Sequence, residues 1–494
     1  MRICLIAAVL LAGCDPALLP RDGGAATADA RVVDAAQPDG RTPDAADTPD
    51  AEVPPALDAA PPDGAVPDAG PLADADTPPD AVPPDAVLPD AAPLDAAQVE
   101  GPAVYPADRL VSPLTPFQVA RLREVVAARP DRDDHELAKV GASATASTSF
   151  LHCFSGPGVV LGGRDALAAT IAWLAVGVPD PFTRESLAAV PGRSAGWAIA
   201  GDPAPVDQEL AALNPRFAAV MYGTNDLQLR DIDAYADHLL TLADHLLAEG
   251  VIPVFSSIMP RDDDAEADAR VPAYNAVVRG VAQGRQVPFV DLHQALVALP
   301  DHGIGPDGIH PTTYRIGGAN RACDFSEAGL AAGYNWRNLL TISALNGLVE
   351  SVLGDAVAPD PPAPARPETG GPNDPIRITA LPFTDLGTTA TSPDQRLAAY
   401  PGCNAAQDES GPERIYRLDL AAPTVVQAYV LDRGDVDIDL HLLADPTDPQ
   451  SCLQRAHREL TASLAAGTWY FVLDSFVSGG RAHAGEYLFV LLAE

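Results

Sequence analysis

Three short polar clusters, far apart along the chain, hold the residue types from which acyl-transfer chemistry is built. Gly141-Ala142-Ser143-Ala144-Thr145 closes an apolar run and presents Ser143 among small residues. Tyr222-Gly223-Thr224-Asn225-Asp226 follows the run FAAVM, and Asp307-Gly308-Ile309-His310-Pro311 lies beyond VPFVDL. A serine hydroxyl is a poor nucleophile until a base takes its proton, and an imidazole titrating near neutrality suits that work. Ser143 is therefore the candidate nucleophile and His310 its base. Asp307, three residues before His310, can accept from the other ring nitrogen and so fix the tautomer. Gly308 makes the required tight turn easy. Taken singly, each cluster reads more readily as a small-residue turn or a solvated loop. Their order along the chain, each beyond a strand-like run, gives them a common purpose.

The elements that must position these residues show in the hydrophobic pattern. ELAKVGA, FAAVMYG, VIPVFSSI and VPFVDL have strand character, while DIDAYADHLLTLADHLLAEG has helical periodicity and a stop at Gly250. LTPFQVARLREVVAARP also reads as a helix. Strands alternating with helices predict a parallel sheet with crossover connections, whose functional groups gather beyond the carboxyl ends of the strands. From about residue 375 the period changes to two in RIYRLDL, VVQAYVLD, VDIDLHLL, TWYFVLD and EYLFVLL, which predicts an antiparallel β-sandwich.

Together the three clusters resemble the SGNH, or GDSL, hydrolase family, with the G-x-N-D and D-x-x-H pieces in family order. The resemblance covers about half the chain. It implies a three-layer flavodoxin-like α/β domain with a parallel sheet, an ester substrate, and catalysis by Ser143, His310 and Asp307 without metal or cofactor. It also implies an oxyanion hole made of the Ser143 amide, the Asn225 side chain and a glycine amide. That glycine is placed at Gly196 in RSAGWAIAG, with Gly192 and Gly201 as competitors. One departure stands out: most members read Gly-Asp-Ser, and this chain has Ala142, so an acid that helps hold the turn is missing. The alternative is thus a non-catalytic binding or adhesion protein that retains the fold. GPERIYRLDL, DVDIDLHLL and AAGTWYFVLDSF with AGEYLFVLL resemble a pre-peptidase C-terminal domain.

The start of the chain speaks of location. MRICLIAAVLLAGC has a short apolar run, too short to span a bilayer comfortably, and resembles a bacterial lipoprotein signal with Cys14 as the lipidated first mature residue. That implies attachment to a membrane through lipid on Cys14 and a place in the cell envelope, exported. Between Asp15 and Glu100 lie 19 acidic and 3 basic residues in a Pro/Asp/Ala repeat, a net −16 out of the formal −37. Such a stretch buries too little apolar surface to fold and reads as a disordered stalk, roughly 50 Å in reach as an ideal coil. The remainder is still acidic, which argues against a nucleic-acid partner.

The expected organisation is a signal peptide over residues 1–13, lipidated Cys14 and stalk over 14–103, the hydrolase-like domain over 104–354, a linker over 355–374 and the sandwich over 375–494. With Cys4 removed and Cys14 lipidated, four cysteines allow three pairings; domain logic favours Cys153 with Cys323 and Cys403 with Cys452. Polysaccharide-linked O-acyl esters are the first expected substrate class. His238 and His245 on one predicted helix read as a solvated edge rather than a zinc site. His293 lacks an acid three residues upstream. Asp435, Asp437 and Asp439 alternate along one run, a solvated face with a calcium site as the lesser reading, and no metal is assigned.

Overall fold

The structure, a computed structural model, describes residues 100–493. The expected signal, lipidated Cys14 and nearly all of the expected stalk lie outside the described residues. Among the described residues, no helix is long and apolar enough to cross a membrane.

Four parallel strands form the α/β sheet in the order β1 (Asp133–Gly141), β2 (Pro215–Met221), β3 (Ile252–Ser256) and β4 (Phe289–Val290). β2 is buried along its whole length, which is why PRFAAVM is a continuous apolar run apart from Arg216. Beyond β1 a fifth position is occupied by residues around Ala189, which makes a single parallel bridge to Gly141. Counting it as the second strand in chain order gives the flavodoxin-like order 2-1-3-4-5. The register pairs Gly141 with Met221, so Ser143 and the Tyr222–Asp226 turn leave the sheet at the same edge.

Helix α1 (Pro116–Ala128) starts at a Thr115/Gln118 capping box. The crossover helices α2 (Ile232–Ala248) and α3 (Val271–Arg285) bury Leu239, Leu242, Leu246, Val277 and Val281 against the sheet. The last long helix is α4 (Gly333–Gly347), most of whose residues are buried.

The C-terminal part is a sandwich of two sheets. One takes the order β10 (Cys452–Ala456), β9 (Ile438–Leu443), β12 (Gly467–Ser475), β7 (Glu413–Leu420), β5 (Ile376–Ile378). The other runs β11 (Glu459–Leu464), β8 (Thr424–Asp432), β13 (Glu486–Ala493), β6 (Phe383–Thr388). All neighbours are antiparallel except β5 and β7. Tyr416, Leu440, Phe471 and Phe489 fill the space between them.

The two folded parts are packed rather than merely tethered. Leu431, Leu488, Val490 and Leu492 of the sandwich belong to the same apolar cluster as the α/β core. On α3, a Cβ at Gly280 would come within 2.5 Å of Leu488, and one at Gly284 within 2.3 Å of Leu386, so both glycines allow helix and sheet to approach closely. Arg285 pairs with Asp244 at 2.5 Å and with Glu486 at 2.8 Å, and Arg433 pairs with the same two carboxylates. The segment expected to be a linker lies against the α/β part, with the Gly101 amide donating to the Ala363 carbonyl and Arg109 paired to Asp360. A Gly284→Val substitution is expected to lower stability by about 1–3 kcal/mol, seen as a lower urea midpoint by circular dichroism.

Candidate active site

Ser143 opens a one-turn helix, Ser143–Ala146, directly after β1. Its Oγ lies 2.7 Å from His310 Nε2, and His310 Nδ1 lies 2.7 Å from Asp307 Oδ2. The other Asp307 oxygen accepts from the amides of Ile309 and His310 at 3.1 and 3.0 Å, so the acid is fixed by the loop it belongs to. Partial burial raises the Asp307 carboxyl, but hydrogen bonds from the His310 amide, the His310 ring and the Ile309 amide outweigh it and hold the group at about 2. Gly308 has φ +69, and a Cβ there would meet Asp263 N at 2.5 Å, so this turn has room for glycine alone. The connected hydroxyl, imidazole and carboxylate can pass a proton from the serine to the ring and keep the resulting cation balanced.

The small residues of the nucleophile turn answer to crowding. A Cβ at Gly141 would lie 2.3 Å from Thr145 Oγ1 and 2.6 Å from the Met221 carbonyl. Where most members of the resembled family carry an acid, Ala142 is buried and makes no side-chain cap. The turn is held from the other side by Arg337 on α4, which donates to the Ala144 carbonyl at 2.6 Å and to Thr145 Oγ1 at 2.7 Å. Arg337 is wholly enclosed and stacks over Phe150 at 3.7 Å. Burial pulls its guanidinium down to about 10. No spacing or motif in YNWRNLL marks this residue; only the fold shows what it touches.

Asn225 stands at the end of β2, its amide nitrogen donating to the Arg193 carbonyl at 2.9 Å. The neighbouring Asp226 is buried and accepts from the amides of Ala195 at 2.9 Å and Gly223 at 3.0 Å. Burial raises its carboxyl, and the two amides pull the other way. Asp226 therefore ties the 193–196 segment to the Asn225 turn, a positioning role that sequence reasoning passed over although the residue sits within G-T-N-D.

Gly196, the expected oxyanion donor, is closely packed. It lies in the short helix Ala195–Ala198, and a Cβ there would meet the His238 ring at 2.6 Å, which makes it a packing glycine. Gly192, adjacent to the Arg193 carbonyl that receives Asn225, has φ +77 and open space where a Cβ would stand. Gly201, with φ +100, is also exposed.

Cys153 and Cys323 are bridged, with Cα atoms 5.6 Å apart, and Cys403 is bridged to Cys452. Asn338 stitches the first bridge's surroundings, donating to the carbonyls of Ser149 and Ala322 at 2.9 and 3.1 Å. The remaining histidines go elsewhere: His245 pairs with Asp207 at 2.7 Å, His238 packs on Gly196, and burial lowers His293. Ser143 and His310 line a small, shallow cleft with Met221, Tyr222, Thr224, Met259 and Ile309. A more voluminous cavity opens between residues 102–104, 283–286 and 364–386, and none of the triad lines it.

Residues 155–314 match the GDSL-like Lipase/Acylhydrolase family. The match contains Asn225, Asp307 and His310 and begins after Ser143, which the fold then brings to His310. No curated protein matches the chain. Among solved structures, a GDSL-like lipase from Bacteroides thetaiotaomicron is similar at 14% identity and TM-score 0.28, covering 46% of this chain and 98% of that one. A putative acylhydrolase from Bacteroides fragilis has 15% identity and TM-score 0.28, covering 46% and 95%. An acetylxylan esterase from Geobacillus stearothermophilus has 16% identity and TM-score 0.28, covering 42% and 93%. Part of the α/β domain, residues 155–314, is thus similar to GDSL-like acylhydrolases.

An Arg337→Met substitution removes both bonds to the nucleophile turn and is expected to lower ester turnover by about 10²-fold. Arg337→Lys should not restore it, because one ammonium cannot reproduce the two-armed contact. Steady-state rates on an activated acetyl ester, with circular dichroism to confirm folding, test both.

Proposed function

We propose that the protein is an exported, lipid-anchored serine esterase acting on short-chain carboxylic esters through an acyl-enzyme. The single observation that carries this reading is the Ser143–His310–Asp307 relay, closed at 2.7 Å on both sides of the ring. Ser143 Oγ attacks the ester carbonyl while His310 Nε2 takes its proton, and Asp307 holds the Nδ1 hydrogen. The tetrahedral oxyanion is met by the Ser143 amide, the free N–H of the Asn225 side chain and the Gly196 amide. His310 then returns the proton to the leaving alcohol, and a water activated by the same ring releases the acid and frees Ser143.

The shallow cleft beside Ser143 supports a small acyl group rather than a fatty chain. We take carbohydrate O-acyl esters as the substrate class, since an attached β-sandwich can retain a polymer near the site, an argument from architecture. The two disulfides are in keeping with an oxidising compartment. The non-catalytic alternative drew its force from Ala142; Arg337 and Gly141 supply a turn that does not depend on an acid there.

Ser143→Ala is expected to lose at least about 10³-fold in turnover of an activated acetyl ester. Equal rates in both proteins, or a preference for long acyl chains in a chain-length series, count against this function. Separately, Cys14→Ser should move the protein from the membrane to the soluble fraction of the producing cell; unchanged membrane association argues against the lipid anchor.

A further inference from the structure

The sandwich contains a second cluster with metal-binding chemistry. His457 Nδ1 lies 3.4 Å from Asp437 Oδ1 and 3.2 Å from Asp439 Oδ1, and the three donor atoms all fall within 4.8 Å of one another. A tetrahedral zinc with bonds of about 2.0–2.2 Å to nitrogen and oxygen sets its ligand atoms roughly 3.3 Å apart. We propose that Asp437, Asp439 and His457 bind a divalent transition ion of the zinc class, with water completing the shell.

Two features around the cluster support a ligand there. Arg455 holds Asp439 through Oδ2 and thereby turns Oδ1 towards His457, the kind of outer contact that orients a ligating carboxylate. Behind it, Glu409 is completely buried, neither of its oxygens has a hydrogen-bond partner, and Oε1 lies 3.9 Å from the same Arg455 nitrogen. Asp439 and Glu409 thus share the one Arg455 guanidinium. An imidazole donor favours zinc over calcium, which takes oxygen ligands. Asp435, the third acid of the sequence run, is exposed and turned towards Arg481 at 3.6 Å, so it stays outside the site.

The site has a mechanical consequence. His457 stands in the turn between β10 and β11, while Asp439 lies on β9. The next residue, Arg458, pairs with Asp233 in the first turn of α2, across the contact between sandwich and α/β part. A bound ion fastens this turn to β9 and so steadies that inter-domain pair.

Equilibrium dialysis of the full chain against zinc tests the proposal. Wild type is expected to hold one more equivalent than His457→Ala or Asp437→Asn, any zinc taken up elsewhere being common to all three. Zinc should raise the melting temperature of wild type and leave that of both variants unchanged, and calcium should do neither. His457 is half exposed, so its removal should not unfold the chain, which circular dichroism checks. Equal zinc uptake by wild type and both variants, as a purely hydrogen-bonded cluster would give, overturns the proposal. So does a thermal response to calcium as large as that to zinc.

Discussion

The His310 ring is the constraint around which the α/β domain is arranged. It must reach a hydroxyl 167 residues earlier in the chain and a carboxylate three residues earlier, and do so in one plane and one tautomer. The near partner is a local matter, since the Asp307 loop folds on itself through two amides and Gly308. The distant partner is not: it requires that β1 end where the loop after β4 arrives. The parallel sheet does this by aligning strand ends at one edge, and the Cys153–Cys323 bridge ties a segment just after the nucleophile to one just after the base.

A nucleophile turn lacking an acidic residue needs another means of support. Arg337 provides it from within the core, with a guanidinium that contacts a carbonyl, a hydroxyl and an aromatic face and has no carboxylate beside it. Such a charge is costly to bury, as its depressed proton affinity shows, and it persists where its hydrogen bonds are geometrically irreplaceable. Asp226 plays a parallel part for the opposite wall, spending both oxygens on backbone amides to keep the Asn225 turn beside the 193–196 segment. Both walls of the cleft are thus fixed by buried polar groups that do not line it.

The sandwich is more than an appendage. The outer face of its β11-β8-β13-β6 sheet shares apolar residues with the α/β core, and the Arg285–Asp244–Glu486–Arg433 group forms a charged border to that contact. Burial works against the Arg285 charge, yet its bonds to Glu486 and Asp244 more than compensate and raise its proton affinity. Hydrolase and accessory domain therefore hold a set relation through α3, whose glycines Gly280 and Gly284 leave space for Leu488 and Leu386.

By itself the sequence determined whatever depends on short-range pattern. The strand and helix periods, the change to period two near residue 375, and the Asp-Gly-x-His and Gly-x-Asn-Asp turns all follow from neighbours in the chain, and local sterics decide them. Tertiary structure alone decided what depends on contacts between distant segments. It packed Gly196 against His238, brought Arg337 to a turn nearly two hundred residues away, closed the supposed linker into a docked interface, and joined His457 to Asp437 and Asp439 while leaving Asp435 outside. The physical reason is the same in each case: a side chain's role here is set by what fills the space within a few ångströms, and that neighbour belongs to another part of the chain.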